Sequence, residues 1–577
     1  MTICNRQSRT GTQIMTLRHY TAAAIVSLAL VGCATANPPV VAAAPAPTVQ
    51  DSAPQADPAR MDAIIKTLAS DEYEGRAPGT PSETKTIAYL VEQFRKLGLE
   101  PGAPNGAWTT EVPLLHTKLD TGVPLQLATG QGAMTLRQGE DVYISTQRNV
   151  DRAVVDNAPL VFVGYGVTAP EKGWDDFKGA DLKGKIAVFL VNDPDFGLAE
   201  GAPNAGLFGG QAMTYYGRWT YKFEEAVRQG AIGALIVHDT PAAGYGWNTI
   251  VSPGGENYDL VQGPDGEGRL MIQGWLSSDA AQRVFAAAGL DLAKQAAAAR
   301  SRNFKPVPLT GETLSASVPV TSETVQSHNV IAKITGTTRP DETISYGAHW
   351  DAYGIGATPD ARGKKIRAGA LDDASGIAAM MEVARMFKSG TPPQRTILFG
   401  IWTAEERGLL GSEHFVASNL YPADKMVADI TFDTLQPNGK ARDFVLIGKG
   451  QSTLEGYLAK AAAAQGRTIT PDAKPERGLF YRADHFSFAK RGVPSLIVMA
   501  LGGGVDLVNG GRAAGDKWVS DFTANCYHQP CDDWKADWDL SGAAQDADLG
   551  YAIGRELADS DAWPKWKPGS EFASKRK

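Results

Sequence analysis

From Met61 onward the apolar positions fall into periodic blocks. In "MDAIIKTLASDEYEGR" and "PSETKTIAYLVEQFRKLGLEPG" they recur at three- and four-residue spacing, which predicts two helices. Ile87, Leu90, Val91, Phe94 and Leu97 share one face of the second, and Gly98 stops it. Between about residues 112 and 322 glycine and proline punctuate shorter apolar runs. This predicts a β-rich segment with strands in "APLVFVGYGV", "KGKIAVFLVND" and "AIGALIVHD" and helices in "YKFEEAVRQG" and "DAAQRVFAAAG". From "NVIAKITG" the runs "TISYGAHWD", "RTILFGIWTAEE", "MVADITFDT" and "VPSLIVMAL" alternate with helices such as "DDASGIAAMMEVARMFK". That alternation predicts an α/β sheet with helices on both faces, in which ligands gather outside the carboxyl ends of the strands.

Those ends carry the candidate chemistry. His349 closes one strand, Asp372 and Asp373 open a helix, Glu405 and Glu406 follow a strand, Asp433 ends another, and His528 lies in a late loop. Each alone has a simple explanation: paired acids favour a helix start through the helix dipole, and Asp372–Asp373 before Ser375 could cap one. Five positions at the same edge of one sheet are harder to ascribe to capping. Histidine and carboxylate donors without a required thiolate suit zinc. Three acids and two histidines can hold two ions if one carboxylate bridges them, with the ions about 3.5–4 Å apart.

Composition narrows the setting. A chain of 577 residues, 43% hydrophobic, can bury more than one core. The net charge of -8 without a basic block leaves no nucleic-acid footprint. Arg18 and His19 precede the apolar run "TAAAIVSLALVG" and then Cys33, the order of an export signal, and the run is too short for a permanent span. "LVGC" resembles the bacterial lipobox, which implies removal of residues 1–32 and lipidation of Cys33; an ordinary cleaved signal is the alternative, and Met15 is an alternative start. Ala34, where an Asp would retain a lipoprotein at the inner membrane, suggests the outer membrane, facing the periplasm or the surface. The Ala/Pro-rich residues 33–59 read as a tether reaching on the order of 75 Å from the membrane. Cys4 leaves with the signal, so Cys526 and Cys531 remain in an oxidising compartment, where a disulfide is expected.

The motifs "AHWDA", "GALDDASGIAAMMEVAR", "WTAEERGLLGSEHF", "ITFDT", "YRADHFSFAKRGVPSL" and "YHQPCDDW" resemble, in order, those of the zinc aminopeptidases of metallopeptidase family 28, which also includes glutamate carboxypeptidase-like enzymes. The resemblance covers about 60–115 and 325–560. It implies a zinc exopeptidase fold, a mixed, mostly parallel sheet flanked by helices, split into 60–115 and 323–565. The intervening 116–322 contains stretches similar to a protease-associated domain, "GYGV", "DLKGKIAVFLV" and "EEAVRQGAIGALIV".

By the same resemblance Asp372 bridges two Zn2+ ions, His349 and Asp433 complete one site, and Glu406 and His528 the other. Glu405 is then the general base for a water shared by the ions, and Asp351 orients the His349 ring. Tyr481 is a candidate for polarising the scissile carbonyl, with a packed loop aromatic as its alternative. Asp532 lies close enough in sequence to partner His528. Thr431 and Ala483 depart from the family pattern without removing a ligand. His116, His238, His328 and His414 have no assigned chemistry, and His485 is expected to brace the Tyr481 loop. The implied activity is peptide hydrolysis by a dizinc exopeptidase, an aminopeptidase first and a carboxypeptidase acting on acidic dipeptides second, with a metal-free receptor as the rival class. Its partners would be peptide substrates and, through the lipid, a membrane; nothing in the sequence fixes an oligomeric state.

Overall fold

The core is organised around one long sheet whose central strands have apolar residues on both faces. The computed structural model describes residues 54–263 and 268–576; the export signal, Cys33 and most of the tether lie outside them. Strand β1 (Val307–Ile334) is followed by β2 (Arg339–His349), β3 (Arg395–Trp402), β4 (Met426–Phe432) and β5 (Ser495–Val498). Their order across the sheet is β5-β4-β2-β3-β1. β2 runs parallel to both β3 and β4, β4 is parallel to β5, and β1 closes this part antiparallel to β3. All residues of β3, β4 and β5 are buried, as parallel strands covered on both faces require.

Chain order reverses about β2, since β3 lies on one side of it and β4 on the other. That is the topological switch point at which open α/β sheets form their crevice. Helices α1 (Pro58–Leu68), α2 (Pro81–Lys96), α3 (Ala374–Ser389) and α4 (Ser541–Asp559) pack here, and α3 is buried along nearly its whole length. Met61, Ile65 and Leu68 of α1 and Leu90 and Phe94 of α2 share one hydrophobic cluster with β2, β3 and α3. The predicted first helix ends at Leu68 and gives way to a short turn of helix at Asp71–Tyr73.

Residues 116–322 build a second layer. Arg152–Phe162, Ile186–Leu190, Gly233–Val237 and Ile272–Leu276 form a parallel run, closed by the antiparallel Val142–Ser145. β1 belongs to both layers: its first half pairs with Arg152–Phe162, its middle with Thr109–Leu119 and its last residues, Val330–Ile334, with β3. It therefore crosses residue 322, where the sequence pattern places a boundary, and the strand Thr109–Leu119 crosses 115 in the same way. No helix among the described residues is long and apolar enough to cross a membrane.

Candidate metal centre

Each donor is delivered by the carboxyl end of a strand or by a neighbouring loop. β2 ends on His349, Glu405 lies three residues beyond β3, and Asp433 directly follows β4. Asp373 caps α3: its Oδ1 accepts from the Gly376 and Thr434 amides at 2.9 and 3.2 Å, and its Oδ2 accepts from the His349 amide at 3.2 Å. Its carboxylate thus ties three segments together, while Asp372, joined to it by a cis peptide, faces the other donors. Cys526 and Cys531 form a disulfide across the loop that presents His528, with Cα atoms 4.9 Å apart.

Asp372 has one oxygen for each side. Its Oδ1 is 3.2 Å from His349 Nε2, its Oδ2 is 3.3 Å from His528 Nε2, and His528 Nε2 is 3.1 Å from Glu406 Oε2. Two groups of potential ligand atoms result, His349–Asp372–Asp433 and Asp372–Glu406–His528, the atoms of each lying within 4.8 Å of one another. Asp372 Oδ2 and His528 Nε2 are buried and make no hydrogen bond despite their proximity. Lone pairs that approach without bonding one another, from imidazole and carboxylate, fit a divalent cation and zinc in particular.

The electrostatics agree with that fit. Burial drives the Glu406 carboxyl well above its ordinary range, with Asp372 adding to the push. Burial does the same to Glu405, partly opposed by His349 and reinforced by Asp433 and Asp484. Asp433 is pushed up to about 6 by burial and Asp372. Burial opposes a charge on His349, but Glu405, Asp351 and Asp372 outweigh it and raise that imidazole. Burial also works against the Asp372 anion, yet the facing His349 and His528 imidazoles outweigh it and hold that carboxyl low. A bound cation would relieve the excess of buried negative charge.

Glu405 stands beside the donors without joining either group; its Oε2 is 3.8 Å from His349 Nε2, and its amide donates to Asp351 Oδ1 at 3.0 Å. Asp351 meets His349 Nδ1 through its main-chain oxygen at 3.1 Å and its Oδ1 at 3.6 Å, while its carboxylate holds the amides of both Glu405 and Glu406. Asp532 does not partner His528. Its carboxylate accepts from the Leu371 and Asp372 amides at 2.9 and 3.1 Å, and the left-handed backbone at His528 (φ 63°) leaves that ring against Tyr527 and Tyr353. The Tyr481 hydroxyl is likewise engaged by another partner. It donates to Glu571 at 2.5 Å and the ring packs against Tyr215, Phe486 and Phe572, because the C-terminal tail and residue 215 close over that loop. His485 packs its ring on Phe480 in the same loop, where burial lowers it to about 3.

The structure adds residues that the sequence pattern did not single out. A small pocket is lined by Tyr353, Arg367, Asp372, Glu406, His528 and Asp532. The Arg407 guanidinium lies 4.9 Å from the ring centres of both Tyr353 and Tyr258. The Nε atoms of Arg367 and Arg407 are buried without partners. Burial opposes the charge of Arg482, but Tyr527, Tyr245 and Glu405 favour it. Adjacency to His528, Tyr481 and Glu406 was a usable signal for Tyr527, Arg482 and Arg407; Tyr353 and Arg367 converge only through folding.

Residues 329–552 match the profile described as Peptidase family M28. The chain is 36% identical over 134 residues to "Glutamate carboxypeptidase 2 homolog" of Caenorhabditis elegans, 22% of this chain and 16% of that protein. It is 28% identical over 218 residues to "Leupeptin-inactivating enzyme 1" of Streptomyces exfoliatus, 37% of this chain and 44% of that one. The chain thus matches less than half the length of either relative. Among solved structures, the aminopeptidase from Aneurinibacillus sp. strain AM-1 aligns with a TM-score of 0.47 at 19% identity, over 88% of this chain and 96% of the other. A zinc aminopeptidase from Bacillus subtilis aligns with a TM-score of 0.42 at 19% identity, over 90% of this chain and 100% of the other.

Proposed function

We propose that this chain, which carries a Peptidase family M28 region at residues 329–552, is a metallopeptidase that holds two zinc ions and removes terminal residues from peptides, acting first as an aminopeptidase. The observation that carries the reading is the pair of three-residue donor groups sharing Asp372. His349 and Asp433 would hold one ion and Glu406 and His528 the other. Bound zinc supplies Lewis-acid polarisation of a carbonyl and a lowered pKa for water. The residues of the chain do the rest. Glu405, anchored through its amide by Asp351, accepts a proton from the attacking water and returns it to the leaving amine as the C–N bond breaks. Asp532 holds the Leu371 and Asp372 amides, and Asp373 ties the start of α3 to the His349 and Thr434 amides, so the backbone that carries Asp372 is fixed.

A second reading, hydrolysis of peptides presenting a free carboxylate beside the scissile bond, is favoured by the arginines. Arg367 and Arg407 bring buried, unpartnered Nε atoms to the neighbourhood of the pocket, and an anionic substrate group would give them a partner. Zinc-loaded protein assayed on aminoacyl amides and on N-blocked, C-free dipeptides separates the two. Turnover of the amides supports the first reading; turnover of the blocked dipeptides alone, lost in Arg367→Met, replaces it with the second. Protein that binds no zinc and gains no activity from it is the receptor-like outcome.

The export reading rests on the resemblance of "LVGC" to a lipobox. Radiolabelled palmitate incorporation into wild type and its absence from Cys33→Ser is the matching test.

A further inference from the structure

The segment "DEYEGRAPG" has no part in the proposed chemistry, yet its arginine bonds the main chain beside two of the donors. Glu74, Gly75 and Arg76 take left-handed backbone conformations in succession (φ 47°, 71° and 48°). This sharp turn directs main chain and side chain alike towards the segments that deliver His349 and Asp372. The Gly75 carbonyl accepts from the Gly354 amide at 3.0 Å, and the Arg76 carbonyl accepts from the Ala352 amide at 3.3 Å. The Arg76 side chain is fully buried. Its Nε donates to the Trp350 carbonyl at 2.7 Å, Nη1 to Leu68 and Ala368 at 2.8 and 2.6 Å, and Nη2 to Gly369 at 2.8 Å. Trp350 sits between His349 and Asp351, and Gly369 lies three residues before Asp372. One rigid planar fork therefore spans both ligand-bearing segments, a geometry that the point donor of a lysine cannot reproduce.

We infer that Arg76 is a positioning residue for the metal centre: by clamping the carbonyls of Trp350, Ala368 and Gly369 it sets the His349–Asp372 spacing before any metal arrives. Its permanent charge serves the same end. The acids around it are Asp532, Asp351, Asp373 and Asp372, all buried, and a fixed cation at their base permits them to gather. The inference rests on the proposed zinc centre, and the experiment below separates the failure of one from the failure of the other.

Zinc stoichiometry and affinity are measured by competition with a chromogenic chelator for wild type, Arg76→Lys and Arg76→Met. The control is Arg395→Lys, which alters a second fully buried arginine that donates to the carbonyls of Leu557 and Ala562, away from the donors. Arg76→Lys is expected to weaken zinc about 10- to 100-fold, whereas Arg395→Lys lowers thermal stability and leaves zinc affinity unchanged. Equal zinc affinity in wild type and both Arg76 variants, or an equal loss in Arg395→Lys, overturns the inference. Wild type that binds no zinc sinks the metal centre itself. Hydrogen exchange on metal-free wild type needs no variant. Amides at 350–354 and 369–372 are expected to be protected like those of the core strands, and free exchange until zinc is added overturns the positioning role.

Discussion

Among the clusters of buried ionisable groups in the described residues, two, one in each layer, are built on opposite terms. In the layer formed by residues 116–322, fully buried Lys222 donates to the carbonyls of Tyr165, Asn192 and Tyr216 at 2.6, 3.1 and 2.7 Å. Asp193 accepts from the amide and hydroxyl of Thr214, and Asp176 from the Val167 amide and the Trp174 indole. The cluster at the ends of β2, β3 and β4 gathers Asp372, Glu405, Glu406 and Asp433 with two imidazoles and leaves Asp372 Oδ2 and His528 Nε2 without a hydrogen bond. A buried charge with complete partners is structure; donors converging without partners form a binding site.

The largest expected effect falls on turnover. Glu405→Ala is expected to lower kcat roughly 100- to 10,000-fold while keeping the zinc content of wild type, measured by metal analysis beside steady-state kinetics; full activity would remove Glu405 from its proposed role. Next comes Lys222→Met, which strips the other cluster of its cation and should cost about 3–5 kcal/mol in denaturant unfolding. The same measurement on metal-free Glu406→Gln should move the opposite way by about 1 kcal/mol, because burial raises that carboxyl and the amide removes the cost of holding its proton at neutral pH; zinc binding should suffer at the same time. If both variants destabilise the metal-free protein alike, the contrast between the clusters is broken.

Another effect of comparable size is a pH dependence. Glu312 is buried with neither oxygen hydrogen-bonded, and burial lifts it from 4.5 to about 7. Its folded pKa is raised, so the folded state keeps a proton that the unfolded chain releases, and stability falls as pH rises from 4.5 to 7. Glu312→Gln should remove that slope. It is expected to match wild type near pH 4.5 and exceed it by about 1–2 kcal/mol above pH 7, as read by urea midpoints at several pH values.

The donor residues were legible because each sits at a local signal, the end of an apolar run or the start of a helix. His349, Asp372, Glu405, Glu406 and Asp433 needed only strand periodicity to be assigned to one edge. Side-chain direction in loops was not legible. Tyr481 looked available because Glu571, its hydrogen-bond partner, is 90 residues away in sequence. Asp532 follows His528 closely but bonds amides 160 and 161 residues upstream. The fork of Arg76 reaches carbonyls 274 to 293 residues ahead, and no local pattern encodes such a contact. β1 was missed as one strand because the polar stretch "TSETVQS" in its middle reads as a break, although those residues pair with Thr109–Leu119.

That long strand has a consequence for how the molecule is inherited and handled. Since β1 runs from one layer into the other, residues 116–322 cannot be cut out cleanly; either cut falls inside a strand and exposes a raw edge in what remains. The layers should melt in a single cooperative calorimetric transition, and evolution can decorate the loops of the outer layer far more readily than it can lose the layer itself.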